Sequence, residues 1–575
     1  LRDGFAMLVR DGSSLGVTAA ILSAAVLFLV FRSVRWVLAP LVVVLASILG
    51  TRGLLAAAGF ELTMVSAMLS SMITVVGIAT TVHLIVEFRR RRAEGLSPDE
   101  SLAKAISRLA FPVVGAIVTD CIGFGALMAS GVGPVRDFGL MTAIGSAAVL
   151  LFGVLLLPTL ALDGPLRIDP RRAWGEAWLA RGLERMVRLL TDRPWPVLAA
   201  SSVVIGITAI GLWRLQVETD FVRNFRSDSP IARAYDVVES RLGGAGVWDL
   251  LVPFDGSIDA RTLSVVENLE TRLGALRTPD GAPALTKTLS LAGVIGAVSP
   301  VRLETLGESS LGNAVVAAAV GFVEQSLPEV TAALVGRDPS DGSRWMRIML
   351  RSRERQPAAS KRWIIEAVGR EAAQSSLGDG NNAAEPTGVF VLLAGLVDRL
   401  LADSWLTLGV AVAGIFFLLA VAFRSPLLAM VALVPNLLPI VFVLGALGWA
   451  GLKINMGTAM IAAVSMGLSI DSSIHYIAAW GQRDPSPASR RDPLGGAVSI
   501  RGALDLAHDT AGRAIVFATL ALVVGFLALC SSEFLPTVSF GGFAAVTLLG
   551  GMLGNLIVLP VLLAVLDTGS GQDIR

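Results

Sequence analysis

The sequence predicts a polytopic all-α membrane protein with one α+β domain outside the membrane. Three features carry that expectation: eleven apolar runs, an internal repeat, and a single long hydrophilic stretch between the repeated blocks. The chain has 575 residues, 54% of them hydrophobic and 16% charged. A soluble domain has about 25% charged residues. Net charge is +1, which gives no reason to expect an acidic partner or nucleic acid. Lysine occurs only at positions 104, 287, 361 and 453, so the basic residues are nearly all arginine. Cys121 and Cys530 lie in separate apolar runs and imply no disulfide framework.

A helix that crosses a bilayer needs roughly 20 apolar residues. Such runs fall near 15–31, 36–58, 63–88, 110–130, 135–162, 195–215, 404–423, 427–450, 456–480, 512–531 and 537–566. Trp36, Trp195, Trp213, Trp405, Trp449 and Trp480 stand at the ends of these runs, as interfacial anchors do. Under strict alternation "FRSVR" (31–35), "RRRR" (89–92), the arginines of 169–193, "FRS" (423–425) and "QRDPSPASRRD" (482–492) share one side. The positive-inside rule makes that side cytoplasmic, and "RRRR" reads as a topology anchor. "SPDESLAKAISRL" (97–109), with Ser97 and Glu100 as a capping box, reads as an interfacial helix.

The resulting domains are a first membrane block (1–162), a cytoplasmic linker (163–194), a span (195–215), an external α+β domain (216–395), a second membrane block (396–566) and a cytoplasmic tail (567–575). In the external domain "VWDLLVPF" (247–254) alternates as a strand does, and "RWMRIMLR" (344–351) is a second candidate. "DARTLSVVENLETRLGAL" (259–276) has helical periodicity behind an Asp cap. A further helix is expected at 358–375, a loop at "GDGNNAAEPTG" (378–388), and a helix at 389–405 leading back to the membrane.

Residues 31–92 align with 423–484 without a gap at an offset of 392. Phe31-Arg32-Ser33 matches Phe423-Arg424-Ser425, Gly59 matches Gly451, Met64 matches Met456, and His83 matches His475. Beyond the next loop the offset is 402: Gly123-Phe124 matches Gly525-Phe526, Pro134 matches Pro536, and Pro158 matches Pro560. The two five-span blocks therefore form a parallel repeat about an axis along the membrane normal. The second block is preceded by a span and the external domain. By symmetry the natural chain is expected to carry about 200 further residues upstream, making a twelve-span protein of which eleven spans are present.

The paired halves, the "GxxxDxxxH" pattern at Gly467, Asp471 and His475, and the closing "GF…PT…FG…GN…LP" resemble the resistance–nodulation–division (RND) superfamily. Within it "VPNLLPIV…GLKINMGTAMIAAVSMGLSIDSSIHYI" (434–477) is similar to the MMPL-type exporters, which include hopanoid and mycolate-lipid transporters. The resemblance implies a proton-driven exporter of lipid or other hydrophobic molecules. It implies a bacterial inner membrane, a periplasmic porter-like domain and a mid-membrane relay. It also leaves room for a homo-oligomer and a periplasmic accessory protein.

Gly467, Asp471 and His475 are spaced i, i+4, i+8 and share a helix face. Glycine lets a neighbouring helix approach closely. An ionised carboxylate at this depth costs about 2.5–3.5 kcal/mol on insertion scales. A neighbour that stabilises it in one conformation only would link proton binding to helix position. The repeat partner of Asp471 is Ala79, so a symmetric pair of acids is not expected, and His83 reads as a packed remnant. Asp120, in the next span at similar depth, is the expected partner of Asp471. Ser472 and Ser473 are candidates to hydrogen-bond the relay. Thr519 is a candidate because its family counterpart faces the relay, and Arg513 is a candidate counter-charge.

No Gly-Lys pair occurs, which excludes a phosphate-binding "GxxxxGK[ST]" loop and argues against an ATP-driven pump. Three histidines and two scattered cysteines suggest no metal cluster and no cofactor beyond the coupling proton. Ser473 and His475 are two apart on one helix, so they cannot form a hydrolytic pair. The expected activity is secondary active transport rather than catalysis. The alternatives are a sterol-sensing or Patched-like receptor without driven flux, and a SecDF-like accessory to protein export.

Overall fold

The computed structural model describes residues 2–570, apart from Leu62, Met64, 163–175, Thr219, 255–257, 299–308, 338–341, 376–383 and 482–499. The Met64 half of the repeat match, most of the linker's first half, the arginine loop at 482–492 and the tail beyond 570 lie outside the described residues. Two compact units form: Leu1–Gln216 with Leu400–Arg575, and Val217–Arg399.

The first unit is helical. Its first block holds α1 (Arg2–Phe31), α2 (Val34–Ala57), α3 (Leu69–Ala93), α4 (Pro98–Gly125) and α5 (Gly133–Leu162). The amphipathic α6 (Glu176–Asp192) and α7 (Pro194–Ile210) follow. The second block holds α8 (Val389–Ala422), α9 (Pro426–Ala450), α10 (Met456–Gly481), α11 (Ile500–Ala507), α12 (Arg513–Leu527), α13 (Leu535–Leu553) and α14 (Leu559–Ser570). Single π turns at His508–Gly512 and Gly554–Val558 join α11 to α12 and α13 to α14. Among the described residues, 11 helical stretches are long and apolar enough to cross a membrane, which makes this a membrane protein.

The segment 97–109 is not a separate interfacial helix. It is the first part of α4, with both hydrogen bonds of the Ser97–Glu100 capping box in place. Pro112 lies inside this helix. Its missing N–H removes one bond, while the helix-forming residues before it carry the helix through.

The backbone repeats as the sequence does. Arg32 and Arg424, partners at offset 392, both adopt left-handed φ (49° and 53°), as do Gly59 and Gly451. That conformation costs a non-glycine residue roughly 1–2 kcal/mol, so its recurrence marks the same tight turn built twice. The blocks also clasp each other reciprocally. Asp403 accepts from Ser130 Oγ (2.7 Å) and the Gly131 amide (2.8 Å). Its repeat partner Asp11 accepts from Ser532 Oγ (2.6 Å) and the Glu533 amide (3.2 Å). Phe138 and its partner Phe540 meet edge to face at 6.5 Å.

The second unit is built on an antiparallel sheet of β1 (Gly246–Phe254), β2 (Lys287–Leu289), β3 (Val335–Arg337), β4 (Arg344–Ser352) and β5 (Glu385–Thr387), in the order β2-β4-β1-β5 with β3 also on β4. Trp248, Leu250 and Val252 pair with Leu350, Ile348 and Met346, and all six are buried. Their face packs with Leu263, Val266 and Leu269 of the helix Ala260–Ala275. Asp259 caps that helix by accepting from Thr262 N at 2.8 Å. The helix at Ala358–Ala373 forms as expected. The end of the expected loop does not stay a loop, because Glu385–Thr387 pairs with Asp249–Leu251 as an edge strand.

Candidate functional site

Helix α10 is enclosed along most of its length, and it approaches α4 backbone to backbone. A Cβ on Gly123 would stand 2.7 Å from Gly467 Cα, so glycine on both sides permits the crossing. Further along the same antiparallel pair, Gly115 faces Ile474. Asp120 is three residues from Gly123 and Asp471 is four from Gly467, in the direction of that second contact. Both acids therefore lie about one turn to the same side of the crossing.

Asp471 is held by two histidines from two repeats. His475 Nε2 is 3.1 Å from Asp471 Oδ1, and His83 Nε2 is 3.7 Å from Oδ2. The two imidazoles stack with centroids 4.0 Å apart and 8° between planes. His83 is thus no packed remnant. It is the repeat partner of His475, and the axis relating the blocks brings the two rings together. One carboxylate serves both, so the alanine at position 79 does not strand it.

Asp120 is buried, and its Oδ1 has no hydrogen bond among the described residues. It does not bond Thr80 or Thr81, whose hydroxyls donate to Val76 O and Gly77 O. Ser473 turns away from Asp471 and the histidines and bonds elsewhere. It accepts from Asn436 Nδ2 (2.7 Å), donates to Ala432 O (3.0 Å) and bonds Asn555. The reason is angular: two residues on from Asp471, its side chain leaves α10 on another face. Ser472 is half-buried. Thr519 is buried on α12, with no hydrogen bond to the histidines among the described residues. Arg513 pairs with Asp509, one turn before it on the same helical path.

Beyond the histidines a pocket with room for about 40 Å³ of water runs between α3, α4, α10 and α12, lined by His83, His475, Glu87, Arg108, Pro112 and Thr510 among others. A water needs about 10–15 Å³. Glu87, one turn after His83, accepts from Arg90 (2.8 Å) and Arg91 (2.9 Å), with Arg108 at 3.6 Å. Two arginines of "RRRR" are thereby engaged by a side chain at the mouth of the site.

The sequence suggests no metal cluster, and the fold gathers one set of candidate donors. Donor atoms of His83, Asp471 and His475 lie within 4.8 Å of one another. Two imidazoles and a carboxylate suit a divalent transition metal. Lone pairs of cofacial rings run parallel instead of converging, however, so one ring would have to turn before both could ligate one ion.

Sequence reasoning missed two polar clusters. Asn436, Ser473 and Asn555 form one, closed by Asn555 Nδ2 donating to Asn436 Oδ1 (2.9 Å). Tyr476 and His508 form the other, at 2.8 Å, with His508 Nε2 3.1 Å from Leu556 O. Lone amides inside apolar spans, in "VPNLLP" and "GN", were the available signal.

Residues 2–202 match the model of the MMPL family. The protein MJ1562 of Methanocaldococcus jannaschii is 23% identical over 403 residues, 67% of this chain and 93% of its own length. The probable transport protein MmpL8 of Mycobacterium bovis is 25% identical over 279 residues, 45% of this chain and 24% of its own length. The family's pattern covers the first block, whose helices are built again in the second, and these likenesses support a membrane protein of the RND/MMPL type.

Proposed function

We propose that this protein is a transporter driven by the proton-motive force, moving lipid or other hydrophobic molecules outward from a bacterial inner membrane. The second unit would then lie in the periplasm. The observation that carries the reading is the sharing of Asp471 by His83 and His475, one histidine from each repeat.

Charge on this cluster acts on the repeat interface. Two unit charges about 4 Å apart repel by roughly 4 kcal/mol at an effective dielectric constant of 20. Asp471 compensates one protonated imidazole and leaves a second uncompensated. Loading the cluster therefore pushes α3 and α10 apart, and unloading lets the rings stack. The driving force is about 2.3 kcal/mol per proton per 100 mV, comparable with that repulsion. The pocket past Glu87 and Arg108 supplies a wet route from the arginine-rich end. Asp120, level with Asp471 on α4, is the second acid that can take the proton onward. The named relative MmpL8 supports transport as the general activity.

The test is reconstitution in liposomes with an imposed pH gradient and a fluorescent phospholipid as reporter. Gradient-dependent lipid movement that vanishes in Asp471→Asn supports the proposal. Undiminished movement in that variant contradicts it, and movement indifferent to the gradient would favour a receptor or scaffold.

A further inference from the structure

The two halves of the membrane block differ in a crevice that each builds from its third, fourth and fifth helices. In the first half this is an apolar pocket of about 150 Å³ between α3, α4 and α5, with walls that include Leu84, Leu109, Val113, Val149, Gly153 and Leu157. The two hydroxyls on its wall, Thr80 and Thr81, already donate to carbonyls of their own helix. Around the opening Ile106, Val114 and Val154 are 40%, 46% and 65% exposed.

In the second half the equivalent crevice is filled. Leu84 becomes Tyr476, which is fully buried and bonded to His508, the partner of Ile106. Gly153 becomes Asn555, which bonds Asn436 and Ser473. Ala110 and Val154 become Gly512 and Leu556. A Cβ on Gly512 would lie 3.5 Å from Leu556 and 3.5 Å from Leu183 of α6. The apolar face of α6, carrying buried Leu183, Val187 and Leu190, covers this site. Among the described residues no helix covers the first-half pocket.

We propose that the first-half pocket is a binding site for the acyl tail of a bilayer phospholipid. Its chemistry selects a hydrocarbon, since the walls are aliphatic and the hydroxyls are engaged. Its position selects a lipid, since the opening lies among exposed apolar side chains of membrane-spanning helices. Its repeat partner shows that the crevice takes a leucine side chain when one is supplied. Cavities of about 150 Å³ with aliphatic walls stay dry and take up apolar molecules, and an unfilled crevice forfeits dispersion contacts on one side. The tail would brace α3 next to His83, as Tyr476 and Leu183 brace the second half. Leu109 lines both this pocket and the one at the histidines, so the two sites are one side chain apart. The inference does not depend on proton coupling.

The test uses the full chain in vesicles of phosphatidylethanolamine and phosphatidylglycerol, part of the latter bearing a diazirine on one acyl chain. Irradiation and peptide mapping should place adducts on Ile106–Val114 and Val149–Leu157. Gly153 has open space where a Cβ would be added, so Gly153→Phe should fill the pocket and abolish these adducts. Gly153→Leu is the milder version if the phenylalanine variant misfolds. Gly53→Phe, at an exposed position on α2 with equally open space, should leave them unchanged. Adducts spread over all exposed helices, or adducts that persist in both Gly153 variants, would overturn the proposal. So would efficient crosslinking of Val154→Cys to another segment of the chain.

Discussion

His83 and His475 stack at 4.0 Å across the axis that relates the two halves, and both reach the same carboxylate on Asp471. This makes the cluster asymmetric in its acids and symmetric in its histidines. The halves cannot separate at this level without breaking the stack.

The first prediction concerns His83. At 3.7 Å the His83–Asp471 contact is an ion pair beyond hydrogen-bond reach, and each ~1.4 kcal/mol of its attraction spent on the coupled step is worth about tenfold in rate. His83→Phe keeps a ring in the stack and loses the contact with Asp471. It should lower gradient-driven transport by about that factor, and His475→Phe should do at least as much. Transport at normal rate in His83→Phe would return that residue to a packing role.

Close approach at Gly123 and Gly467 gives the second. Gly123→Val places a side chain against the α10 backbone, and overpacking of this kind costs about 1–3 kcal/mol. Thermal unfolding in detergent should show lower stability, together with weaker transport. Gly125→Ala, where nothing lies within 4 Å, should leave both unchanged.

The Asn436–Ser473–Asn555 cluster gives the third. Asn555→Leu leaves the buried Asn436 Oδ1 without its donor, at a cost of about 1–3 kcal/mol for the unsatisfied group. The triple change Asn436→Val, Ser473→Thr, Asn555→Gly installs the first-half residues and removes the network together. It should unfold at a higher temperature than the single variant. The reverse order would show that the cluster is not what holds α9, α10 and the second π turn together.

In the second unit, Lys361 and Glu354 form a buried pair at 2.5 Å. Burial pushes the Glu354 carboxyl up, against the pull of Lys361. Lys361→Met removes the pull and should destabilise this unit by about 3–5 kcal/mol at neutral pH. A carboxyl raised in the folded state binds its proton more readily there than in the unfolded chain, so stability rises as pH falls toward the unfolded value. The variant should thus regain stability on acidification, as read by hydrogen exchange in β1 and β4 of the full chain. A flat pH response would contradict this account of the pair.

Much of this was legible beforehand, for reasons that differ by element. The spans were visible because lipid demands long apolar helices, and the repeat because Phe31-Arg32-Ser33 and Phe423-Arg424-Ser425 carry the same left-handed turn. Asp471 stood out because an acid in an apolar run is costly. His83 was misjudged because its importance comes from a contact 392 residues away, across an axis that sequence offset alone does not position. Ser473 was misassigned because adjacency to Asp471 in sequence means a different helix face. The edge strand at Glu385–Thr387 is short, and its pairing with Asp249–Leu251 is set by the sheet and not by local pattern.

The central claim is that Asp471, clasped by His83 and His475, carries the coupling proton. The most direct test is proton flux into liposomes containing the purified protein and a trapped pH-sensitive dye, with a gradient imposed from outside. Protein-dependent flux that disappears in Asp471→Asn and returns in part in Asp471→Glu is the predicted result. Flux at the original rate in Asp471→Asn would contradict the account.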